Sequence, residues 1–206
     1  MLRIWGRTNS INVQKVMWAV GELDLAHERV DAGGAFGGLD TDAYRALNAN
    51  GRVPTIEDDG VVVWESNACV RYLAARYGAG SLWPEDPAVR AAADMWMDWQ
   101  QTTLVPDMTT VFWGLVRTPE ADRDQAAIEA AAGRLGGLWR RLDNHLAARR
   151  FVAGEQFSMG DIPVGAACYR WRELPIERPK LTALEDWYGR LQERASYRAH
   201  VMLPLA

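Results

Sequence analysis

The hydrophobic period of this chain changes once, at a short stretch with two prolines, Leu82-Trp83-Pro84-Glu85-Asp86-Pro87. Before it, brief apolar runs alternate with segments of helical spacing. After it, apolar positions recur almost everywhere at intervals of three or four residues. A chain divided in this way folds as a small α/β unit followed by an all-helical one. The expected partition is residues 1–80 and 88–206, joined by a linker over 81–87.

The first unit reads element by element. Leu2 to Arg7 suits a strand. Val13, Val16, Met17, Val20 and Leu23 fall on one face of a helix. His27 to Asp31 suits a second strand, and the loop Ala32 to Gly38 carries four glycines in seven residues. Thr41 to Leu47 is a short helical piece. Thr55 to Asp58 and Val61 to Trp64 pair around Asp59-Gly60, a dipeptide that favours tight hairpins. Ser66 to Tyr77 is a helix with Ser66 as N-cap and Gly78 at its stop. The order is β-α-β-α-β-β-α. Beyond the linker, Ala88 to about Leu115 reads as a long helix bent at Pro106. Gln125 to Arg149 forms another, and Leu184 to Arg194 a last one. In Phe157 to Ile162, Ser158 and Asp161 take capping-box positions flanked by a Phe157–Ile162 staple, which is a structural role.

Composition removes several function classes. The chain has 206 residues, 49% apolar and 24% charged, with a net charge of -4, so there is no basic footprint for nucleic acid. No run of about 18 apolar residues predicts a membrane span. The amino terminus enters Leu2-Arg3-Ile4-Trp5 without a basic-then-apolar leader. Cys69 and Cys168 stand far apart without CxxC spacing, which argues against a disulfide framework or zinc site and for a reducing cytoplasm. Both lie in apolar helical stretches and read as inert core thiols. His27, His145 and His200 show no metal-type spacing, and no metal is expected. Ten tryptophans fit a Trp-rich core better than an aromatic-lined cleft.

One junction carries a binding signal. Glu65-Ser66 sets a carboxylate and a hydroxyl beside the free N–H groups of a helix start, which suits a ligand bearing both an ammonium and a carboxylate. Just upstream, Val53-Pro54 can adopt a cis bond that turns the Val53 N–H and C=O outward as a strand-like pairing edge. Read alone, each is also an ordinary cap or an ordinary trans proline.

Four segments in this order and spacing, Ser10-Ile11-Asn12-Val13-Gln14-Lys15-Val16, Asn48-Ala49-Asn50-Gly51-Arg52-Val53-Pro54, Glu65-Ser66 ahead of Arg71-Tyr72-Leu73, and Ser158-Met159-Gly160-Asp161, make the chain similar to the cytosolic glutathione transferases over essentially its whole length. It looks most like their bacterial, theta-like branch. The resemblance implies a thioredoxin-like amino-terminal domain, a helical carboxy-terminal domain, a homodimer, glutathione as co-substrate, and detoxifying transfer of its thiolate to small hydrophobic electrophiles. It makes Ser10 the thiol-activating hydroxyl, with Asn12 able to share or take over that role. Ser10 read without it simply caps the first helix. Val53 and Pro54 would receive the peptide backbone, Glu65 the γ-glutamyl ammonium and Ser66 its carboxylate. Arg52 pairs with the glycyl carboxylate or is an exposed loop arginine. The electrophile is expected against the long helix carrying Trp99, Met108, Phe112 and Trp113, although a core or dimer stripe explains that spacing equally. The family often has Asn-Pro where this chain has Asn48-Ala49. Two other readings stay open: a glutathione-dependent disulfide reductase or peroxidase using Asn12, and a non-catalytic interaction module on the same fold.

Overall fold

The computed structural model describes residues 1–206. Four short strands form one sheet in the order β2-β1-β3-β4, with β1 (Leu2–Trp5) parallel to β2 (His27–Val30) and antiparallel to β3 (Thr55–Asp58). β3 closes a hairpin with β4 (Val61–Trp64), and Asp59 and Gly60 both take the positive φ that a two-residue hairpin turn requires. Ile4 and Ile56 face each other across the sheet and are fully buried. α1 (Ile11–Glu22) and α3 (Ser66–Tyr77) pack together beside the sheet, and α2 (Asp42–Leu47) is capped by the Thr41 hydroxyl. This βαβαββα unit is the thioredoxin-like arrangement, and helices follow it.

The helical half differs from its sequence pattern in instructive places. The long helix is continuous in path but not in hydrogen bonding. α4 (Pro87–Trp99) passes into a π-helical turn at Gln100–Leu104, α5 (Val105–Phe112) follows, and a second π turn spans Trp113–Arg117. Pro106 therefore sits in the first turn of α5, where its missing N–H costs little, and the irregularity lies just before it. α6 (Gln125–Leu146) and α7 (Asp161–Glu173) follow, then α8 (Thr182–Gln192) and a short α9 (Ala195–His200) that the sequence pattern does not announce. Ser66 is not the cap of α3. Glu65 holds the N-cap position with φ of 68°, and Ser66 is the first helical residue.

The capping-box expectation for Ser158 and Asp161 is shifted: Gly160 is the N-cap of α7 and Asp161 its first residue, while Ser158 and Asp161 still bond to each other. Asp161 is fully buried and accepts the N–H groups of Ser158 and Val152, each at 3.0 Å, and the Trp187 indole N–H at 2.9 Å. Burial pushes its carboxyl up to about 6 against the downward pull of those donors. The Trp-rich core is only partly present: Trp18, Trp139, Trp171 and Trp187 are fully buried, while Trp64 and Trp113 are exposed and the other four are partly buried.

α1 joins the two halves. Every residue from Val13 to Val20 is buried, because α3 packs on one side and α7 and α9 on the other. Trp18 packs tilted against Tyr197, with ring centroids 4.5 Å apart, and comes so close to α7 that a Cβ at Gly165 would stand 2.9 Å from the edge of its ring. The same burial traps Lys15, which donates to Gln100 Oε1 at 2.9 Å in the first π turn.

Burial pushes Lys15 down to about 7, the nearby Arg170 pushes the same way, and Glu65 pulls weakly back. In the unfolded chain a lysine keeps its proton to about 10.4. Between those values the unfolded state binds more protons, so the native protein gains stability as pH rises from about 7 to about 10. Lys15→Met should therefore stabilise the fold at pH 7 by on the order of 2–4 kcal/mol, less as pH approaches 10. Urea unfolding at both pH values checks the sign, and equal stability of the two proteins at pH 7 would contradict it.

Candidate functional site

The β1–α1 loop presents its polar groups toward a cleft of about 550 Å³ between the α/β half and α5. Ser10 is the N-cap of α1 in geometry only. Its carbonyl accepts the Gln14 N–H, but its hydroxyl makes no capping hydrogen bond and stands half-buried on the cleft wall. The capping role that Ser10 suggests in isolation is therefore not the one its side chain takes. Asn12, two residues on, also lines the cleft, and Asn9 contributes a buried carbonyl oxygen without a partner. Thr8 is exposed and not part of the wall.

Val53-Pro54 is a cis peptide bond. Pro54 is buried, while Val53 and Arg52 face the cleft. The Arg52 carbonyl is held by the Tyr44 hydroxyl (2.7 Å) and the Asn48 side-chain amide (2.9 Å), and Asn48 also reaches Thr55. Asn48 therefore buttresses this loop from within. The Val53 N–H and C=O bond to no other protein group.

Glu65 and Ser66 do not line the cleft itself. They connect to it through one bond: the Ser66 hydroxyl donates to Asn12 Oδ1 at 3.1 Å. That bond ties the start of α3 to the first turn of α1 and leaves the Asn12 amide N–H₂ free. The first helical donor of α3 to find a backbone partner is Cys69, on the Glu65 carbonyl, so the N–H groups before it stay open. Glu65 is exposed with an unpaired carboxylate, and its positive φ is uncommon for a residue with a side chain.

Across the cleft stand Met108 and Phe112, both buried against the core, and Trp113, which is 55% exposed. All three line the cleft, so their spacing reflects a shared wall. Trp99 does not join them. Its ring packs edge-on against Trp96 (5.0 Å) and Trp139 (6.4 Å), on the core side of the long helix.

Several cleft residues leave no sign in the sequence. Arg7 shares a loop with Ser10, yet Arg117 follows α5 and Arg170 lies on α7, and only folding brings them together. Burial lowers Arg7, and Arg117 lowers it further. Burial pushes Arg170 down to about 10, with Arg117 and Arg7 adding to the effect. Neither protein thiol is a candidate nucleophile. Burial holds the Cys69 thiol far above its usual range and pushes Cys168 up to about 12. No group of three or more His, Cys, Asp or Glu side chains is placed to hold a metal, and no helix is long and apolar enough to cross a membrane.

The comparisons with known proteins agree over the whole chain. Residues 9–76 match the family described as Glutathione S-transferase, N-terminal domain, and residues 125–190 match Glutathione S-transferase, C-terminal domain. The chain is 42% identical to glutathione S-transferase GstB of Escherichia coli (strain K12), over all of both chains. It is 30% identical to glutathione S-transferase theta-1 of Rattus norvegicus, over 74% of this chain and 66% of that one. Among solved structures it superposes on the glutathione-bound theta class glutathione S-transferase of Xanthomonas axonopodis pv. citri with a TM-score of 0.96 and 51% identity, covering 100% and 99% of the two chains. By full-length identity and by fold, the chain belongs to the glutathione S-transferase family.

Proposed function

We propose that this protein is a glutathione transferase in which Ser10 stabilises the glutathione thiolate for attack on small hydrophobic electrophiles. The observation that carries this reading is the Ser10 hydroxyl, left without a capping bond on the wall of the cleft at the amino end of α1. A glutathione thiol with the reference pKa of about 8.5 is only ~3% ionised at pH 7. Lowering that pKa by about two units requires roughly 2.7 kcal/mol of preferential thiolate stabilisation. A charge-assisted hydroxyl hydrogen bond together with the positive end of α1 supplies energy of that order.

Asn12 assists with its free amide, its carbonyl being already engaged by Ser66. The peptide backbone pairs with Val53, whose position Pro54 sets, and Arg52 faces the glycyl carboxylate. Glu65 accepts from the γ-glutamyl ammonium, and Ser66 with the open N–H groups of α3 receives the neighbouring carboxylate. Met108, Phe112 and Trp113 form the electrophile wall. In the transfer, a sulfur lone pair forms the bond to the electrophilic carbon and a leaving group departs with its electron pair. The thiol proton passes to solvent. The protein's contribution is ionisation and positioning, and no group of its own becomes covalently attached.

On this reading residues 1–80 hold glutathione, residues 88–206 shape the electrophile side, and 81–87 link them. A homodimer accords with the exposed apolar side chains Val61, Val62 and Trp64 on the edge strand β4 and Met95 on α4. The cytoplasm accords with two reduced, buried cysteines.

Ser10→Ala is expected to raise the thiol pKa of bound glutathione by about one to two units, with an equal loss of thiolate stabilisation of about 1.4–2.7 kcal/mol, while glutathione still binds. Ultraviolet titration of the thiolate reads this directly, and an unchanged titration curve removes Ser10 from the mechanism. Glu65→Gln should weaken glutathione binding about tenfold by calorimetry. Because Ser66 and Asn12 share a hydrogen bond, Ser66→Ala and Asn12→Ala should lose less affinity together than the sum of their separate losses. Full additivity would mean that the bond plays no part in binding.

A further inference from the structure

The interdomain cleft is far more basic than the protein around it. Acidic residues outnumber basic ones 27 to 23 over the chain, yet the cleft wall carries Arg7, Arg52, Arg117 and Arg170 and no Asp or Glu. Some arginines outside the cleft pair with carboxylates, Arg71 with Asp94 and Asp98, Arg134 with Asp107 and Arg194 with Glu22, while others on the open surface do not. In the cleft none does. Arg7 and Arg170 make no side-chain hydrogen bond or ion pair, and Arg117 reaches only the Ala206 carbonyl, at 2.6 Å. Glutathione on the reading above brings two carboxylates, one for Ser66 and the start of α3 and one for Arg52. Arg7, Arg117 and Arg170 then still face the cleft without an acidic side chain beside them.

Their placement belongs to the electrophile side. Arg170 lies over the Phe112 ring at 3.9 Å, and Arg117 lies 5.6 Å from the same ring and 5.6 Å from Trp113. Two guanidiniums are thus fastened to the aromatic wall by cation–π contact. Arg7 approaches from the loop that also carries Ser10, its side chain close above Gly33 and Gly34. Like charges gathered in a half-buried cleft repel one another, and burial and mutual repulsion lower Arg7 and Arg170. A bound anion relieves that repulsion and gains charge-assisted, bidentate hydrogen bonds.

Resting on the glutathione-thiolate reading, we propose that the electrophile of this enzyme is a compact apolar molecule bearing a carboxylate, which docks on Arg7, Arg117 and Arg170 while its reactive carbon faces Ser10 across Phe112. The cleft of about 550 Å³ must also hold a tripeptide, which keeps this partner small. The arginines select the acid and orient it, and they draw it in from solution against the net negative charge of the protein.

The test uses the full chain and two pairs of small molecules. Glutathione is first titrated by calorimetry. The glutathione-saturated protein is then titrated with 3-nitrobenzoate and with 3-nitrobenzamide, which differ only in the charge of one group. The benzoate is expected to bind about tenfold more tightly, with the preference shrinking as salt is raised. Arg117→Met and Arg170→Met should each reduce that preference by about tenfold. Arg117 is exposed, so its variant reports even if Arg170→Met misfolds.

Turnover of 4-chloro-3-nitrobenzoate and 4-chloro-3-nitrobenzamide should show the same preference once each rate is divided by its spontaneous rate with glutathione. In both, sulfur bonds to the ring carbon, chloride leaves with the bonding pair and the thiol proton goes to buffer. Equal affinity for the charged and neutral ligands overturns the proposal while leaving the transferase reading intact. Arginine variants that weaken glutathione binding without changing the benzoate preference overturn it also, and assign the cluster to glutathione. Failure of the first titration, with no glutathione bound, overturns the transferase reading itself.

Discussion

Helix α1 is buried on all sides through its middle, and the rest of the structure depends on that burial. A helix with one apolar stripe packs against one partner. A helix buried around its whole circumference needs several partners to enclose it. Val13 to Val20 are enclosed by α3 on one side and by α7 and α9 on the other. Its far end is fixed as firmly: Trp18 and Arg194 both bond to Glu22, Arg194 in a bidentate pair. With axis and rotation set, the amino end of α1 has one position relative to α5. That end carries Ser10 and Asn12, so the distance across the cleft follows from core packing far from it.

The enclosure also creates the electrostatic character of the molecule. Lys15 is on the wrong face for a solvated lysine, since α1 has no solvated face there, and a single amide oxygen from a π turn accepts its hydrogen bond. Gln100 opens that π turn and is itself buried. Arg170, one helix away, faces the cleft without a carboxylate. Cations held in low dielectric without counter-ions cost folding energy, and here they come from both sides of one cleft, Arg7 from the β1–α1 loop and Arg170 from α7.

Much of the fold was legible because two periodicities separate cleanly. The β3–β4 hairpin was readable from alternating residues around Asp59-Gly60, whose backbone needs left-handed φ at both positions. The candidate binding residues were legible as local clusters: Ser10 with Asn12 in one loop, Glu65 with Ser66 at one helix start. Local geometry was less so. Propensity places Ser66 at the cap of α3, but packing of the strand-to-helix turn gives that position to Glu65 and moves Ser66 inward to meet Asn12. Pro106 marks a disturbance in the long helix without revealing that the disturbance precedes it. α9 is too short for its period to register. Trp99 and Trp113 look alike in sequence, yet across the π turn and α5 that separate them one packs toward the core and the other lines the cleft.

The amino-acid sequence by itself determined the division into an α/β half and a helical half, the order of elements in the α/β half and the local groups that suit a zwitterionic peptide. Those properties depend on neighbours within about a dozen residues, where hydrophobic period and capping chemistry act. Tertiary structure alone decided which side chains share the cleft. Arg7, Arg117 and Arg170 are separated by more than a hundred positions in places, and Ser66 meets Asn12 across 54 residues. Nothing in a local pattern encodes such meetings. They arise because one buried helix fixes the two halves against each other, and the cleft is the space that this packing leaves open.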